Sequence, residues 1–263
     1  MHSQATVAEA LRLREEEGLG ARRVARLLEL SLGTVRDWHA GKLPWNSRPT
    51  PDGKRFPTVC SRCGQPGHNV DELGPAYVYL LGLYLGDGSI STHQRGVHRL
   101  RVFLDKKYPR IVEECAGAIQ ANMANSRVHK LLTVSNCYSV SAYSRSWPCL
   151  FPQHGPGAKH MRPIFLSIWQ QTLAERWPDQ LLKGLIQSDG CRFINTGRGD
   201  WMQPRYSFTN VSTDITSIFC SACDCLGLRW TAAFPKSESA AVTIYVSRKA
   251  DVARLDEFVG PKR

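Results

Sequence analysis

The chain has 263 residues, of which 42% are apolar and 22% charged, and its formal net charge is +11. This composition excludes an intrinsically disordered chain, and no apolar run approaches the ~18 residues of a membrane-spanning helix. The basic charge indicates a polyanionic partner, most often nucleic acid. Nine cysteines without an export signal indicate reduced thiols or metal ligands, and therefore a cytoplasmic protein.

Three short helices are predicted at the N-terminus. Apolar residues recur at helical spacing before Gly18 and again over residues 21–28, and Ser31 can cap a third helix that ends near Gly41. This order is typical of a helix-turn-helix domain over residues 1–42 that places its last helix in the major groove of DNA. Thr34 and Arg36 are its predicted DNA contacts. An ordinary three-helix bundle is the alternative.

Residues 43–74 are predicted to be a linker, because prolines are frequent and apolar periodicity is weak over its first part. The segment contains Cys60, Cys63 and His68 at the spacing that opens many zinc sites. The next position of that spacing is Leu73, so a fourth ligand would come from elsewhere. Asp71, His154 and His160 are the candidates. A plain turn without zinc is the alternative.

From Ala76 onward, the same order of elements occurs twice, about 100 residues apart. Each copy begins with an apolar helix that ends at Asp-Gly, at Asp87 and at Asp189, and continues with a strand, a helix, two strands and a helix. The predicted strands cover residues 99–104, 128–134, 138–143, 206–209, 230–233 and 242–247. The other predicted helices cover residues 109–122, 164–175, 214–226 and 251–258.

Both Asp-Gly helices carry small residues four positions apart. These are Gly82 and Gly86 in the first helix and Gly184 and Ser188 in the second. Small residues at this spacing let two helix backbones approach closely. If the helices pack in parallel, Asp87 and Asp189 lie side by side at two helix C-termini. Two carboxylates and two negative helix ends favour a hard divalent cation such as Mg²⁺.

The segments LLGLYLGDG (Leu80–Gly88) and LKGLIQSDG (Leu182–Gly190) resemble the motif of the LAGLIDADG homing endonucleases in their single-chain, two-motif form. The resemblance covers about residues 75–260. It implies an α+β fold in which two αββαββα halves, 75–160 and 161–263, form a pseudo-twofold pair whose strands build a saddle for duplex DNA. With the all-α helix-turn-helix domain in front, it implies a freestanding bacterial protein of actinobacterial type.

The same resemblance implies the site residues. In that family the two motif acids bind divalent metal and cut both strands, which assigns Mg²⁺ or Mn²⁺ to Asp87 and Asp189. Polar or basic residues at the end of the first strand of each half also lie near the metals. These positions match Asp105, Lys106 and Asn210 here. For Lys106, a solvated strand end is the alternative.

One face of the predicted strands is expected to contact DNA. Apolar residues over 99–104 alternate with Arg99 and Arg101, so one face is core and the other presents arginine. Arg205 is the predicted contact in the second half. The loop HGPGAKH (154–160) has three open interpretations: a zinc-ligand donor, a phosphate contact through Lys159 and His160, or a connector between the halves.

These features predict a site-specific, metal-dependent double-strand DNA endonuclease with a structural zinc site and no membrane association. Because both motif copies lie in one chain, a monomer is expected. The alternative is a sequence-specific transcription regulator with a non-cleaving LAGLIDADG core. The presence of both motif acids favours the nuclease. A transposase would require a third acid that the repeat does not provide.

Overall fold

The structure is a computed structural model, and it describes residues 2–44, 60–64, 68–123, 126–197, 200–234 and 241–262. The chain divides into two compact units, Met1–Asn69 and Val70–Arg263. Much of the predicted linker, residues 45–59 and 65–67, lies outside the described residues. Within the described ranges, every helix is too short or too polar to cross a bilayer.

The smaller unit contains three helices, α1 (Gln4–Glu15), α2 (Ala21–Leu27) and α3 (Leu32–His39). The side chain of Ser31 accepts a hydrogen bond from the backbone N–H of Thr34, which caps α3 as the sequence predicts. The apolar faces of all three helices share one core. Its buried members are Val7, Ala10, Leu11, Leu13, Val24, Ala25, Val35 and Trp38.

The larger unit contains the predicted repeat. Its first half consists of α4 (Pro75–Asp87), β1 (Gly88–Thr92), β2 (His98–Asp105), α5 (Pro109–Asn122), β3 (His129–Leu132), β4 (Cys137–Ser144) and α6 (Trp147–Leu150). Its second half consists of α7 (Ile168–Arg176), α8 (Pro178–Asp189), β5 (Gly190–Thr196), β6 (Met202–Asn210), α9 (Thr213–Cys225), β7 (Trp230–Ala233), β8 (Val242–Val246) and α10 (Lys249–Phe258).

Each half forms one antiparallel four-stranded sheet, with the orders β1-β2-β4-β3 and β5-β6-β8-β7. The two orders are the same when the strands of each half are counted from its start. The predicted α+β class is therefore confirmed, and the repeat extends from the sequence to the sheet topology.

The predicted alternation in β2 is also confirmed. Leu100, Val102 and Leu104 are buried, whereas Arg99 and Arg101 are half-buried on the opposite face. Because α5 packs against β2 and β4, the apolar face lies under the helices and the arginine face is turned away from them. The arginine face of this sheet is thus the face opposite α5.

Several elements differ from the sequence prediction: α6 is not among the predicted helices, and β6 begins at Met202 rather than at residue 206. Strands β1 and β5 begin at the glycines of the two Asp-Gly pairs. The αββαββα order implied by the resemblance includes them, but the residue-level prediction does not, since their short mixed sequences lack a clear period. Helix α7 begins at Ile168 rather than at residue 164, because Ser167 and Gln170 form a capping box that sets the start of the helix.

Candidate active site

Helices α4 and α8 meet with their backbones in contact. A Cβ atom added to Gly82 would lie 2.6 Å from the carbonyl oxygen of Leu181 and 2.9 Å from the Cα of Gly184, so only glycine permits this approach. One turn later, Gly86 faces Ser188. Because the contacts advance together along both helices, the helices run in the same direction, as the sequence predicts.

This packing brings the two motif acids to the same end of the helix pair. A Cβ added to Gly86, which precedes Asp87, would lie 3.1 Å from the carboxyl carbon of Asp189. Burial, and then the charge of Asp189, raise the pKa of Asp87 to about 6. Burial also raises the pKa of Asp189, but the side-chain amide of Asn210 opposes this shift by donating to Asp189 Oδ2 at 2.7 Å.

A lysine caps the C-terminus of each motif helix. Lys159 Nζ donates to the carbonyl oxygens of Tyr84 and, at 2.8 Å, Gly86. Lys262 Nζ donates to the carbonyl oxygen of Ser188 at 3.1 Å. An ammonium group is favourable there because the carbonyl end of a helix carries partial negative charge. Burial lowers the pKa of both lysines, to about 8 for Lys159, although the two acids oppose the shift.

The two lysines are related by the repeat, and Lys262 is absent from the residues that the sequence predicts. Lys159 follows Gly86 by 73 residues, and Lys262 follows Ser188 by 74. Each lysine is the last residue of a Gly-x-Lys triplet whose glycine has a positive φ, 76° for Gly157 and 64° for Gly260. This triplet was a detectable signal. The sequence prediction names only Lys159, as a phosphate contact in one of the three interpretations of its loop.

Asp189 and Lys159 border an open cavity of about 420 Å³, whose lining also includes Gly86, Thr209 and Asn210. The ligand atoms offered there are carboxylate oxygens, the donor type that Mg²⁺ and Mn²⁺ prefer. The lysine ammonium groups donate to backbone carbonyl oxygens, and their positive charge opposes the burial-driven rise in the pKa of both carboxylates. The site therefore fits a hard divalent cation.

The residues predicted at the strand ends, Asp105 and Asn210, do not occupy equivalent positions in the two sheets. Strand register pairs Gly88 with Val102 and Gly190 with Phe208. Two residues further along each strand, Leu104 therefore corresponds to Asn210, and Asp105 lies on the opposite face of its sheet. Among the hydrogen bonds of the described residues, Asn210 is the one of the three predicted strand-end residues that donates to a motif acid.

Asp105 and Lys106 make other contacts. Asp105 accepts from the backbone N–H of Lys107 at 2.9 Å, and its charge also acts on Lys262. Lys106 Nζ donates to Asn136 Oδ1 at 2.8 Å, in the turn between β3 and β4. The catalytic role assigned to Lys106 stays a prediction that this geometry does not support.

The predicted DNA-contacting arginines lie on the polar faces of the two sheets. Arg99 lies 5.4 Å over the ring of Tyr143 and donates to Ser141, while Arg101 lies 5.9 Å over the ring of Phe103. The Nε atoms of Arg99, Arg101 and Arg205 are buried and have no hydrogen-bond partner among the described residues. An unpaired buried donor is costly, and an anionic ligand would remove that cost.

In the smaller unit, Arg36 is exposed on α3, and the Thr34 hydroxyl is hydrogen-bonded to Ser31 at 2.7 Å. Arg36 is thus free to extend from the helix, whereas Thr34 contributes to the cap. Their DNA contacts stay predictions.

The predicted zinc ligands lie together near the end of the smaller unit. The ligand atoms of Cys60, Cys63 and His68 are within 4.8 Å of one another. Burial lowers the pKa of His68, which favours its neutral imidazole. All nine cysteines are in the described part of the chain, and none forms a disulfide.

No family model and no curated protein matches the chain. Among solved structures, I-DmoI in complex with DNA and Mn is similar at 16% identity and a TM-score of 0.47, over 73% of this chain and 98% of that one. The N-terminal LAGLIDADG domain of DUF199/WhiA is similar at 12% and 0.45, over 79% and 98% of the two chains. The I-LtrWI LAGLIDADG homing endonuclease bound to target DNA is similar at 11% and 0.46, over 73% and 85%. These values are too low to assign an activity.

Proposed function

We propose that this chain is a metal-dependent endonuclease that cuts both strands of duplex DNA at a specific site. The observation that supports the proposal is the repeat-related pair of acids and lysines. Asp87 and Asp189 end two parallel helices in backbone contact, and Lys159 and Lys262 cap the same two helices. Two equivalent sets of groups at one place suit a reaction that is carried out twice, once on each strand.

Asp87 and Asp189 would hold the divalent cations. When bound, Mg²⁺ or Mn²⁺ activates the attacking water and neutralises charge on the phosphate. Asn210 fixes the orientation of the Asp189 carboxylate through its amide hydrogen bond. Lys159 and Lys262 keep positive charge at Nζ beside the acids, where it attracts the DNA phosphate and stabilises negative charge that develops on it.

The polar faces of the two sheets would bind the DNA. Arg99, Arg101 and Arg205 supply cationic groups there, and their unpaired Nε donors would find partners in phosphate or base oxygens. Arg36 on α3 would add contacts from the smaller unit. A single chain carries both acids, so a monomer acting on DNA in a bacterial cytoplasm is sufficient.

A transcription regulator that binds DNA without cutting is the alternative. A regulator gains nothing from two acids that repel the DNA phosphates, and burial already disfavours their ionised forms. Retention of both acids with a lysine for each therefore favours the nuclease.

The test is cleavage of a random plasmid library in Mg²⁺, followed by sequencing of the cut ends. The wild-type chain is expected to cut at a defined site, and Asp87→Asn and Asp189→Asn each to slow cutting by at least about 100-fold with binding retained. Asp179→Asn is the matched control, because Asp179 lies in the first turn of the same helix as Asp189. Wild-type protein that binds a defined site but does not cut it in Mg²⁺ or Mn²⁺ would establish the regulator instead.

A further inference from the structure

Three side chains of the types that bind zinc, two thiols and one imidazole, converge near the end of the smaller unit. We propose that Cys60, Cys63 and His68 bind one structural Zn²⁺ ion that is independent of the divalent cations at Asp87 and Asp189. The ligand atoms of these three residues already lie within 4.8 Å of one another. The proposal does not depend on whether the chain cuts DNA.

The backbone between the two cysteines forms a tight turn that brings them together. The backbone N–H of Gly64 donates to the carbonyl oxygen of Cys60 at 2.9 Å, and Gly64 has a φ of 66°. A residue with a side chain rarely adopts this left-handed conformation, so glycine directly after Cys63 stabilises the turn. The turn makes both thiols available to one ion.

The distance between Cys63 and His68 agrees with a shared metal. Cys63 Sγ and His68 Nε2 are 3.5 Å apart. On a tetrahedral Zn²⁺ with bonds of about 2.3 Å to sulfur and 2.0–2.1 Å to nitrogen, these two atoms would be about 3.6 Å apart. Zinc binding therefore requires little movement of either side chain.

Burial of the cluster supports a ligand more than a plain turn. Cys60 is 1% exposed and His68 is 5% exposed. Within the described ranges, the Nδ1 atom of His68 is buried without a hydrogen-bond partner. A neutral imidazole has one ring nitrogen that can bind a metal, and Nε2, which lies 3.5 Å from Cys63 Sγ, is placed to bind the same ion as that thiol. Cys63 is exposed, which gives an ion access.

The donor atoms distinguish this site from the acid pair. Two thiolates and one imidazole select Zn²⁺, whereas the carboxylates of Asp87 and Asp189 select Mg²⁺ or Mn²⁺. The chain would thus hold two kinds of metal that can be added and removed separately. Removing zinc should affect the Cys60–His68 segment first, and exchanging Mg²⁺ for Ca²⁺ should leave zinc bound.

The decisive experiment is metal analysis of the full chain purified without added zinc or chelator. We expect about one zinc per chain, and a loss of that zinc in Cys63→Ser and His68→Ala. Cys225→Ser is the matched control, because Cys225 is an exposed thiol outside the cluster. It should keep its zinc.

A second measurement on the wild-type chain covers the case in which these variants fail to fold. The Cys63 thiol should react slowly with a thiol reagent, and this reaction should become fast once a chelator has removed the zinc. Wild-type protein that contains iron or no metal, with Cys63 equally reactive before and after chelation, would overturn the proposal.

A structural zinc site also needs a fourth protein ligand. Six single substitutions test for it: Asp71→Asn, Cys137→Ser, Cys149→Ser, His154→Ala, His160→Ala and Cys191→Ser. Loss of zinc in one of them identifies the ligand and supports a closed structural site. Zinc retained in all six would indicate an open coordination position and overturn the structural role.

Discussion

The two halves of the larger unit share a plan but differ at the acid that each contributes. Both halves end their motif helix at an aspartate, arrange their strands in the same order, and return a lysine to the end of that helix. In the second half Asn210 donates to Asp189, whereas the corresponding register position in the first half is the buried Leu104. The candidate site is therefore compound but not symmetric.

The difference extends to the lysines and to the polar faces of the sheets. Lys159 donates to two carbonyl groups of α4, and Lys262 donates to one of α8. Arg99 and Arg101 lie in the strand of the first half whose counterpart in the second half carries Arg205. The first half thus holds its acid, Asp87, without a counterpart of the Asn210 hydrogen bond. Its long strand also carries two arginines on the polar face, where the second half carries one. Each prediction below compares one half with the other or with a matched control.

The largest expected effect is the loss of a lysine from the acid site. Lys159→Met should reduce cleavage by about 10²–10³-fold, because one preorganised positive charge beside the phosphate is removed. Lys262→Met should cost less, about tenfold, since Lys262 has fewer contacts with the helix end. With supercoiled plasmid as the substrate, the nicked product reports the rate of the first strand cut and the linear product reports the rate of the second.

Lys106→Met is the control for this comparison, because Lys106 bonds to Asn136 rather than to the motif helices. Its cleavage rate should stay within about twofold of the wild-type rate. Lys159→Arg should recover part of the activity, since it keeps the charge. Equal rates for Lys159→Met and the wild-type chain would remove the lysines from the proposed site.

The next effect concerns the backbone contact between α4 and α8, which joins the two halves. Gly82→Ala should lower the free energy of unfolding by about 1–3 kcal/mol or more, because its Cβ would lie 2.6 Å from a backbone oxygen. Gly117→Ala is a matched control in α5, where a Cβ meets no atom within 4 Å. It should stabilise the chain by about 0.5–1 kcal/mol. Chemical denaturation measures both, and equal effects would mean that α4 and α8 are not in backbone contact.

The sequence predicted most of the fold because its signals are local. Apolar periodicity located α5 and β7 at their observed bounds, and the two Asp-Gly helices revealed the repeat. Strands β1 and β5 were not located, because they are defined by their pairing with β2 and β6. That tertiary contact leaves no periodic pattern in such short mixed segments. The start of α7 moved because a capping box, rather than apolar spacing, determines it.

The candidate site was less predictable, because it depends on register and on residues distant in sequence. The two acids followed from the repeated motif. Asp105 and Asn210 were placed at equivalent positions, but the observed strand pairing separates them by one residue and so by one face of the sheet. Lys262 was missed although its Gly-x-Lys triplet repeats that of Lys159, because the triplet alone does not show that the ammonium group lies against the end of α8.

A smaller effect should distinguish the two acids by how much each one changes the stability of the chain. The pKa of Asp87 is raised from 3.8 to about 6, so the folded chain disfavours the charged form. Its contribution to stability is then greatest when the group is protonated and falls as the pH rises from about 4 to about 6. Asp87→Asn should therefore stabilise the chain at pH 7.5 by about 1–3 kcal/mol and bring little gain near pH 4.

Asp189→Asn should stabilise the chain less than Asp87→Asn at pH 7.5, because Asn210 already favours the charged form of Asp189. Urea titrations in EDTA at the two pH values measure both variants without metal. An equal gain at both pH values for Asp87→Asn would contradict the assignment of a raised pKa. A larger gain for Asp189→Asn would reverse the comparison between the halves.

The smallest expected effect compares the polar faces of the two sheets through the salt dependence of DNA binding. Each arginine that contacts a phosphate adds about 0.9 to the slope of log affinity against log salt concentration. The double variant Arg99→Ala, Arg101→Ala should lower the slope by about 2, and Arg205→Ala by about 1. Arg110→Ala should leave it unchanged, since Arg110 pairs with Glu114 on α5, away from the polar face. Because Arg99 and Arg101 lie over aromatic rings that limit their motion, less side-chain entropy is lost when they bind. An unchanged slope in the double variant would mean that DNA does not bind to the strands of the first half.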